Sequence, residues 1–178
     1  VRLSEIMMRI VTYPGPALRR GGKPVQNFDA DLAATARAML DTMYEARGVG
    51  LAAPQVGLDL ALLVLNPTGE RGEAAEEMVL CNPEIVGRKG NEYGEEGCLS
   101  FPGLYAEVER AKKITVVYRD LQGQQQELRC DDFLGRIIQH EIDHLNGVLF
   151  VDRLSSVEKL RVRPRLLEME RSSESAQV

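Results

Sequence analysis

Ile138-Gln139-His140-Glu141-Ile142-Asp143-His144-Leu145 is the run from which the rest of the chain is best read. Residues four apart on an α-helix lie one turn apart on the same face, about 6 Å along the axis. His140 and His144 can therefore grip one metal ion. Glu141 follows the first histidine directly, beside the metal but off the line of its ligands, where a general base for an activated water has to stand. These are the only two histidines in 178 residues. A lone histidine is usually an ordinary core or surface residue. Two of them four apart, with Glu between and apolar residues around, argue for a metal site rather than a plain amphipathic helix.

The length suits one domain with a sizeable core and is short for two. We read residues 1–178 as a single catalytic domain, ordered over about 9–165, with 171–178 a flexible tail. Hydrophobic residues make up 44% and charged residues 28%, which excludes a disordered chain. No apolar run reaches the length of a membrane span. A net charge of −5 argues against a broad grip on nucleic acid phosphates, and no sequence-specific nucleic acid binding is expected. The three cysteines, Cys81, Cys98 and Cys130, have no regular spacing and no secretory signal is seen, so reduced thiols in a cytoplasmic protein are expected. Val1 to Ile6 read as a lead before a fold that starts near Arg9.

Along the chain, Ile10 to Thr12 is extended and breaks at Tyr13-Pro14-Gly15, and Arg19 to Pro24 continues as loop. From Asp29 to Ala46, Leu32, Ala36, Met39, Leu40 and Met43 recur at three and four, an amphipathic helix capped by Asp29 or Asp31. Gly48 to Gly57 is glycine-rich but lacks the lysine of a phosphate loop. Leu60 to Leu65 reads as a buried strand and Gly69 to Glu77 as an exposed acidic loop. Met78 to Cys81 and Glu84 to Val86 read as strand around Asn82-Pro83. Val108 and Ile114 to Tyr118 read as strands, Asp120 to Gly123 as a hairpin turn and Gln124 to Cys130 as its return strand. The two-histidine helix runs from about Phe133 to Leu145, capped by Asp131 or Asp132 and stopped by Asn146-Gly147. Its largely apolar surface makes it the buried centre of the domain. Val148 to Val151 reads as a short extended closure. Ser155-Ser156 caps a last helix that Pro164 should kink or break. The fold class is α+β: mixed or antiparallel sheets around a central metal-binding helix, with N- and C-terminal helices.

A catalytic metal site usually has three protein ligands and an open position. The third is either a downstream glutamate, Glu158, Glu168 or Glu170, or a thiolate from upstream. Cys98 lies in the turn-rich segment Glu95 to Gly103, where its sulfur is presented rather than packed, and we favour it. Cys81 and Cys130 suit the ordinary reading of a free cysteine as a small hydrophobe.

Three segments, Gly48-Val49-Gly50-Leu51-Ala52-Ala53-Pro54-Gln55, Glu96-Gly97-Cys98-Leu99-Ser100 and Gln139-His140-Glu141-Ile142-Asp143-His144, resemble the three signature motifs of the peptide deformylases, in the same order and with comparable spacing. The similarity runs from about Ile10 to Leu154. It implies removal of the N-formyl group from the formyl-methionine of nascent polypeptides, and it puts the ribosome near its exit tunnel among the partners. It implies one divalent metal on Cys98, His140 and His144: commonly Fe²⁺, with Zn²⁺, Ni²⁺ and Co²⁺ also suited to this donor set. Glu141 is implied as the proton carrier, and the Gln55 side-chain amide and Leu99 backbone N–H as oxyanion donors. The resemblance places Val49 and Gly50 against the substrate backbone and Ile137, Leu99 and the stem of Glu96 around the methionine side chain. It also pairs Glu96 with Arg110.

A zinc-type metallopeptidase shares the bare helix motif, and the third ligand separates the two readings. A structural zinc module would need a fourth protein ligand, and no fourth is evident.

Overall fold

In the computed structural model, residues 8–176 are described. The expected lead at residues 1–6 and the last residues of the expected tail lie outside them. In chain order the elements are α1 (Ala17–Arg20), α2 (Ala30–Glu45), β1 (Gly50–Ala52), β2 (Leu62–Leu65), β3 (Met78–Cys98), β4 (Phe101–Arg119), β5 (Gln125–Asp131), α3 (Asp132–Leu145) and α4 (Ser156–Ser175). The strands form one sheet in the order β1-β2-β3-β4-β5, every neighbouring pair antiparallel. Of the two expected forms the sheet is the antiparallel one, and among the described residues the parallel pairing is an isolated bridge between Lys23 and Leu60.

The α2 helix starts where Asp29 accepts a hydrogen bond from the Leu32 N–H at 3.0 Å, a standard N-cap. Its buried stripe of Leu32, Ala36, Met39, Leu40 and Met43 meets one face of β2 through Leu62 and Val64. Leu63 and Leu65 alternate to the other face and meet Ile138, Ile142 and Leu145 of α3. With helices on both faces, β2 is apolar at every position, as a doubly covered strand must be. A third cluster joins Phe101, Leu104 and Val108 of β4 to Leu18, Leu149, Phe150 and Val162. Every residue of α3 from Gly135 to Leu145 is buried, so the helix with the two histidines is enclosed on all sides.

Where separate short strands are expected, the structure has one long ribbon of β3 and β4. Asn82-Pro83 does not end β3 but sits in a register jump between Cys81 and Glu84. Asn82 takes a left-handed φ of 51°, and its side chain accepts from the Val25 N–H at 2.7 Å and donates to the Val25 carbonyl at 3.0 Å. A second irregularity lies at the end of the ribbon: Gly97 pairs with Tyr105 but Cys98 with Phe101, leaving Pro102 to Leu104 bulged out of the ladder. Cys98 thus ends a strand, at the mouth of a two-residue hairpin.

Three other expectations change. Asp131 occupies the N-cap position of α3 but makes no side-chain capping bond. Phe150–Arg153 is a 3-10 turn, not an extended closure, because the Asp152 carboxylate folds back to accept from the Leu149 N–H at 2.8 Å. The α4 helix runs unbroken to Ser175 through Pro164, although a break and a frayed tail from Arg171 are expected. Val162, Leu166 and Met169 pack on the third cluster from both sides of the proline, which holds the helix course despite the lost backbone bond. No described helix is long and apolar enough to cross a membrane.

Truncating Leu63, fully buried between the sheet and α3, should cost about 2–5 kcal/mol through lost contacts and a residual cavity. Urea unfolding of Leu63→Ala checks this, and a loss under about 1 kcal/mol would contradict a doubly covered β2.

Candidate metal centre

Two elements separated in sequence present the donors. The α3 helix carries His140 and His144 on one face, and the β3–β4 hairpin lowers Cys98 onto them. One ligand atom from each of the three residues lies within 4.8 Å of the others, and Cys98 Sγ is 3.4 Å from His144 Nε2. A tetrahedral ion with a sulfur ligand near 2.3 Å and a nitrogen near 2.1 Å separates those two atoms by about 3.6 Å. The spacing and the thiolate–imidazole donor set therefore fit a divalent metal. Two buried polar atoms around this point, Glu141 Oε2 and His144 Nδ1, have no hydrogen-bond partner among the described residues.

The hairpin is fixed from two directions. Ser100 is fully buried; its carbonyl accepts from the Tyr13 N–H at 2.8 Å and its hydroxyl from Gln55 Nε2 at 3.1 Å. Gln55 stands in the 3-10 turn that follows β1, where its Oε1 accepts from the Ala52 N–H at 2.9 Å. That bond decides the amide orientation. The nitrogen end faces the centre, with Nε2 3.5 Å from Cys98 Sγ.

Behind the histidines lies a buried ionic network. The Glu96 carboxylate accepts two bonds from Arg110, each 2.9 Å, and one from Arg136 at 2.8 Å. It also meets His140 Nδ1 at 2.8 Å. Arg110 reaches on to Asp143, which is gripped in turn by Arg153 at 2.8 and 3.0 Å. Arg136 is anchored by the carbonyls of Val108 and Glu92 at 2.9 and 3.0 Å. Gly94 allows that guanidinium to cross β3, because a Cβ there would come within 2.8 Å of its central carbon.

The two glutamates beside His140 sit in opposite environments. Burial works to raise the Glu96 carboxyl, but the bonds from Arg110 and His140 prevail and bring it down to about 2. Burial pushes Glu141 up to about 7, with His140 opposing. His144 is driven well below the ordinary imidazole value by burial and by the positive charges of His140 and Arg110.

The centre opens into a cleft of about 600 Å³. Gly48, Val49 and Gly50 form one wall, Glu96 to Leu99 with Pro102, Gly103 and Tyr105 the other, and Ile137, His140 and Glu141 the floor. β1 is the edge strand of the sheet among the described residues, and Gly50 at its start lines the cleft. Gly50 is needed for space: a Cβ would stand 2.7 Å from Glu141 Oε1 and 3.0 Å from Ile137 Cγ2.

All the residues singled out in the sequence, Cys98, His140, His144, Glu141, Gln55, Leu99, Val49, Gly50, Glu96 and Ile137, fall at this centre or on its cleft. Glu96 differs in posture, since its carboxylate turns inward to His140 and the arginines. The downstream glutamates weighed as ligands are engaged elsewhere on α4: Glu158 with Arg161, Glu168 with Arg165 and Glu170 with the Tyr13 hydroxyl. Sequence reasoning missed Ser100, Arg136, Asp143 and Arg153. Helical spacing was a signal for Arg136, one turn before His140 on the same face; Ser100 and Asp143 stand inside the motifs, which were read without a role for either.

Known proteins resemble this chain over nearly its whole length. The sequence pattern described as Polypeptide deformylase matches residues 7–160. The peptide deformylase of Acidobacterium capsulatum is 44% identical over 165 residues, 93% of this chain and 96% of the relative. Among solved structures, a plant peptide deformylase superposes with a TM-score of 0.94 at 43% identity, over 97% of this chain and 94% of the other. The peptide deformylase of Plasmodium falciparum gives 0.92 at 40% identity, over 96% and 99%. Matched over nearly its whole length in this way, the chain belongs to the polypeptide deformylase family.

Proposed function

We propose that this chain removes the N-formyl group from formyl-methionyl peptides by hydrolysis, with a divalent metal, Fe²⁺ by preference, held by Cys98, His140 and His144. The observation that carries the reading is the meeting of those three donors beside Glu141, at the floor of a cleft flanked by the edge strand β1. When bound, the metal polarises the formyl carbonyl and makes water a stronger nucleophile near neutral pH.

The chain's own residues supply the rest. Glu141 takes a proton from the attacking water and passes it to the amine nitrogen as the formyl C–N bond breaks, leaving formate and a free N-terminus. Gln55 Nε2 and the Leu99 N–H donate to the carbonyl oxygen as it gains negative charge. The backbone of Val49 and Gly50 pairs with the peptide as an added strand, which aligns the formyl group with the centre. Ile137, Leu99 and the stem of Glu96 enclose the methionine side chain. Glu96 holds the His140 proton on Nδ1 and so leaves Nε2 free as a donor. The reading sets the reaction in the cytoplasm, on nascent chains near the ribosome exit tunnel.

Glu141→Gln should keep its metal and lose nearly all turnover, because the donors are untouched while the proton carrier is gone. Metal content and formate release are measured on the same sample; near-normal release removes Glu141 from the mechanism. Gln55→Ala should lower kcat by about 10²-fold with a smaller effect on KM. An effect confined to KM would make Gln55 a substrate-positioning group only. Iron-loaded protein should lose activity in air faster than nickel- or zinc-loaded protein, with oxidation of the Cys98 thiolate seen by mass spectrometry of its peptide. Equal decay of both forms with Cys98 unmodified excludes thiolate oxidation as the cause.

A further inference from the structure

The wall of the cleft opposite β1 rests on an unsupported stretch of sheet edge. β5 pairs with β4 only from Lys113 to Arg119, so among the described residues the outer edge of β4 from Pro102 to Glu107 has no strand beside it. In that stretch Pro102 to Leu104 bulge out of the ladder with β3. Leu104 anchors the base of the bulge in the core, but Pro102 and Gly103 are exposed. Gly103 has a left-handed φ of 74°, and a Cβ on it would meet nothing within 4 Å. Pro102, Gly103 and Tyr105 nevertheless line the cleft.

Side chains of α4 take the place of the missing strand. Arg165 donates to the Pro102 carbonyl at 3.2 Å and Arg161 to the Tyr105 carbonyl at 2.8 Å. Glu158 accepts from the Glu107 N–H at 3.0 Å. Each arginine is held in pose by a carboxylate one turn away, Arg161 by Glu158 at 2.7 and 2.8 Å and Arg165 by Glu168 at 2.9 Å. Satisfying the edge alone would not require this, since water serves exposed carbonyls as well. Bonds to carbonyls on both flanks of the bulge also tie its position to α4.

We propose that Arg161 and Arg165 are positioning residues for the peptide cleft: they clamp the Pro102–Leu104 bulge and thereby set how tightly the residues following formyl-methionine are held. The inference rests on the reading of the cleft as the formyl-peptide site. The formyl group and the methionine lie against α3 and β1. On that reading the rim of Pro102, Gly103 and Tyr105, which also lines the cleft, is left to the residues that follow methionine. A rim that holds the peptide equally in the ground and transition states gives uniform binding, so loosening it weakens longer substrates selectively and through KM rather than kcat.

The test is the double variant Arg161→Ala/Arg165→Ala, assayed with N-formyl-methionine amide and with a formyl-methionyl tripeptide. The preference for the tripeptide, taken as a ratio of kcat/KM values, should fall about tenfold, mainly in KM. Lysine at both positions should restore part of it, since one donor per side chain still reaches a carbonyl. An unchanged ratio overturns the inference, as does an equal loss on both substrates, which a general structural defect would give. Hydrogen exchange at Gly103 to Tyr105 reads the clamp without turnover: faster exchange in the variant supports it and unchanged exchange refutes it. A parent protein that releases formate from neither substrate sinks the deformylase reading instead, and the exchange measurement still decides whether α4 holds the rim.

Discussion

The Glu96 carboxylate, with its side chain only 5% exposed, is met by two arginines and a histidine ring from three directions. A charge cut off from water is costly unless its oxygens are filled by donors, and a carboxylate buried with one partner removed destabilises a fold by about 3–5 kcal/mol. Here the donors come from β4 and α3 while the acceptor sits on β3, so the same bonds that solvate Glu96 dock the ribbon onto the helix. Arg110 extends the chain of charge to Asp143, and Arg153 ties Asp143 to the turn after α3. The network is therefore both a fastening between sheet and helix and the part that holds the His140 ring.

This fastening explains why α3 is buried so completely. Its apolar residues, Ile138, Ile142 and Leu145, are absorbed by β1 and β2, which leaves the polar face with His140, Asp143 and His144 to be satisfied inside the protein. Arg110, Glu96 and Cys98 of the ribbon do that. Close approach on the other side comes from Gly50, whose missing side chain lets β1 lie against Glu141 and Ile137. A site built on one helix and two strand ends is held more rigidly than one built on loops, and the cost is that most of its supporting residues are far apart in the chain.

That separation also sets what could be read in advance. Helical spacing alone marks α2 and α3, and the Asp120–Gly123 turn is legible because Asp120 accepts from the Gln122 and Gln124 N–H groups. The cysteine and the two histidines were legible through residue type and motif. For Arg136 the helical spacing marks its face but not its role, because its partners Glu96 and Val108 stand 40 and 28 residues away. Asn82-Pro83 reads locally as a strand end, and only the Val25 backbone, brought alongside by the fold, turns it into a bulge within β3. The same holds for Pro164. A proline inside a helix argues for a break when only neighbours are considered, whereas the apolar contacts of Leu166 and Met169 come from the far end of the chain.

The two glutamates next to His140 show how one motif gains two roles from its surroundings. Both carboxylates are buried to a similar degree, so burial alone would raise both. Glu96 is surrounded by Arg110, Arg136 and the His140 N–H, which fix it as an anion and leave it no proton to trade. Glu141 makes no ion pair with an arginine among the described residues, and its Oε2 meets no donor there, so burial raises it to about 7. Environments that drive two carboxyls apart in this way separate an orienting anion from a group able to exchange a proton. The geometry that makes Glu96 a fastening is thus also what leaves Glu141, one residue from His140 on the same helix, as the group suited to the proton transfer proposed for it.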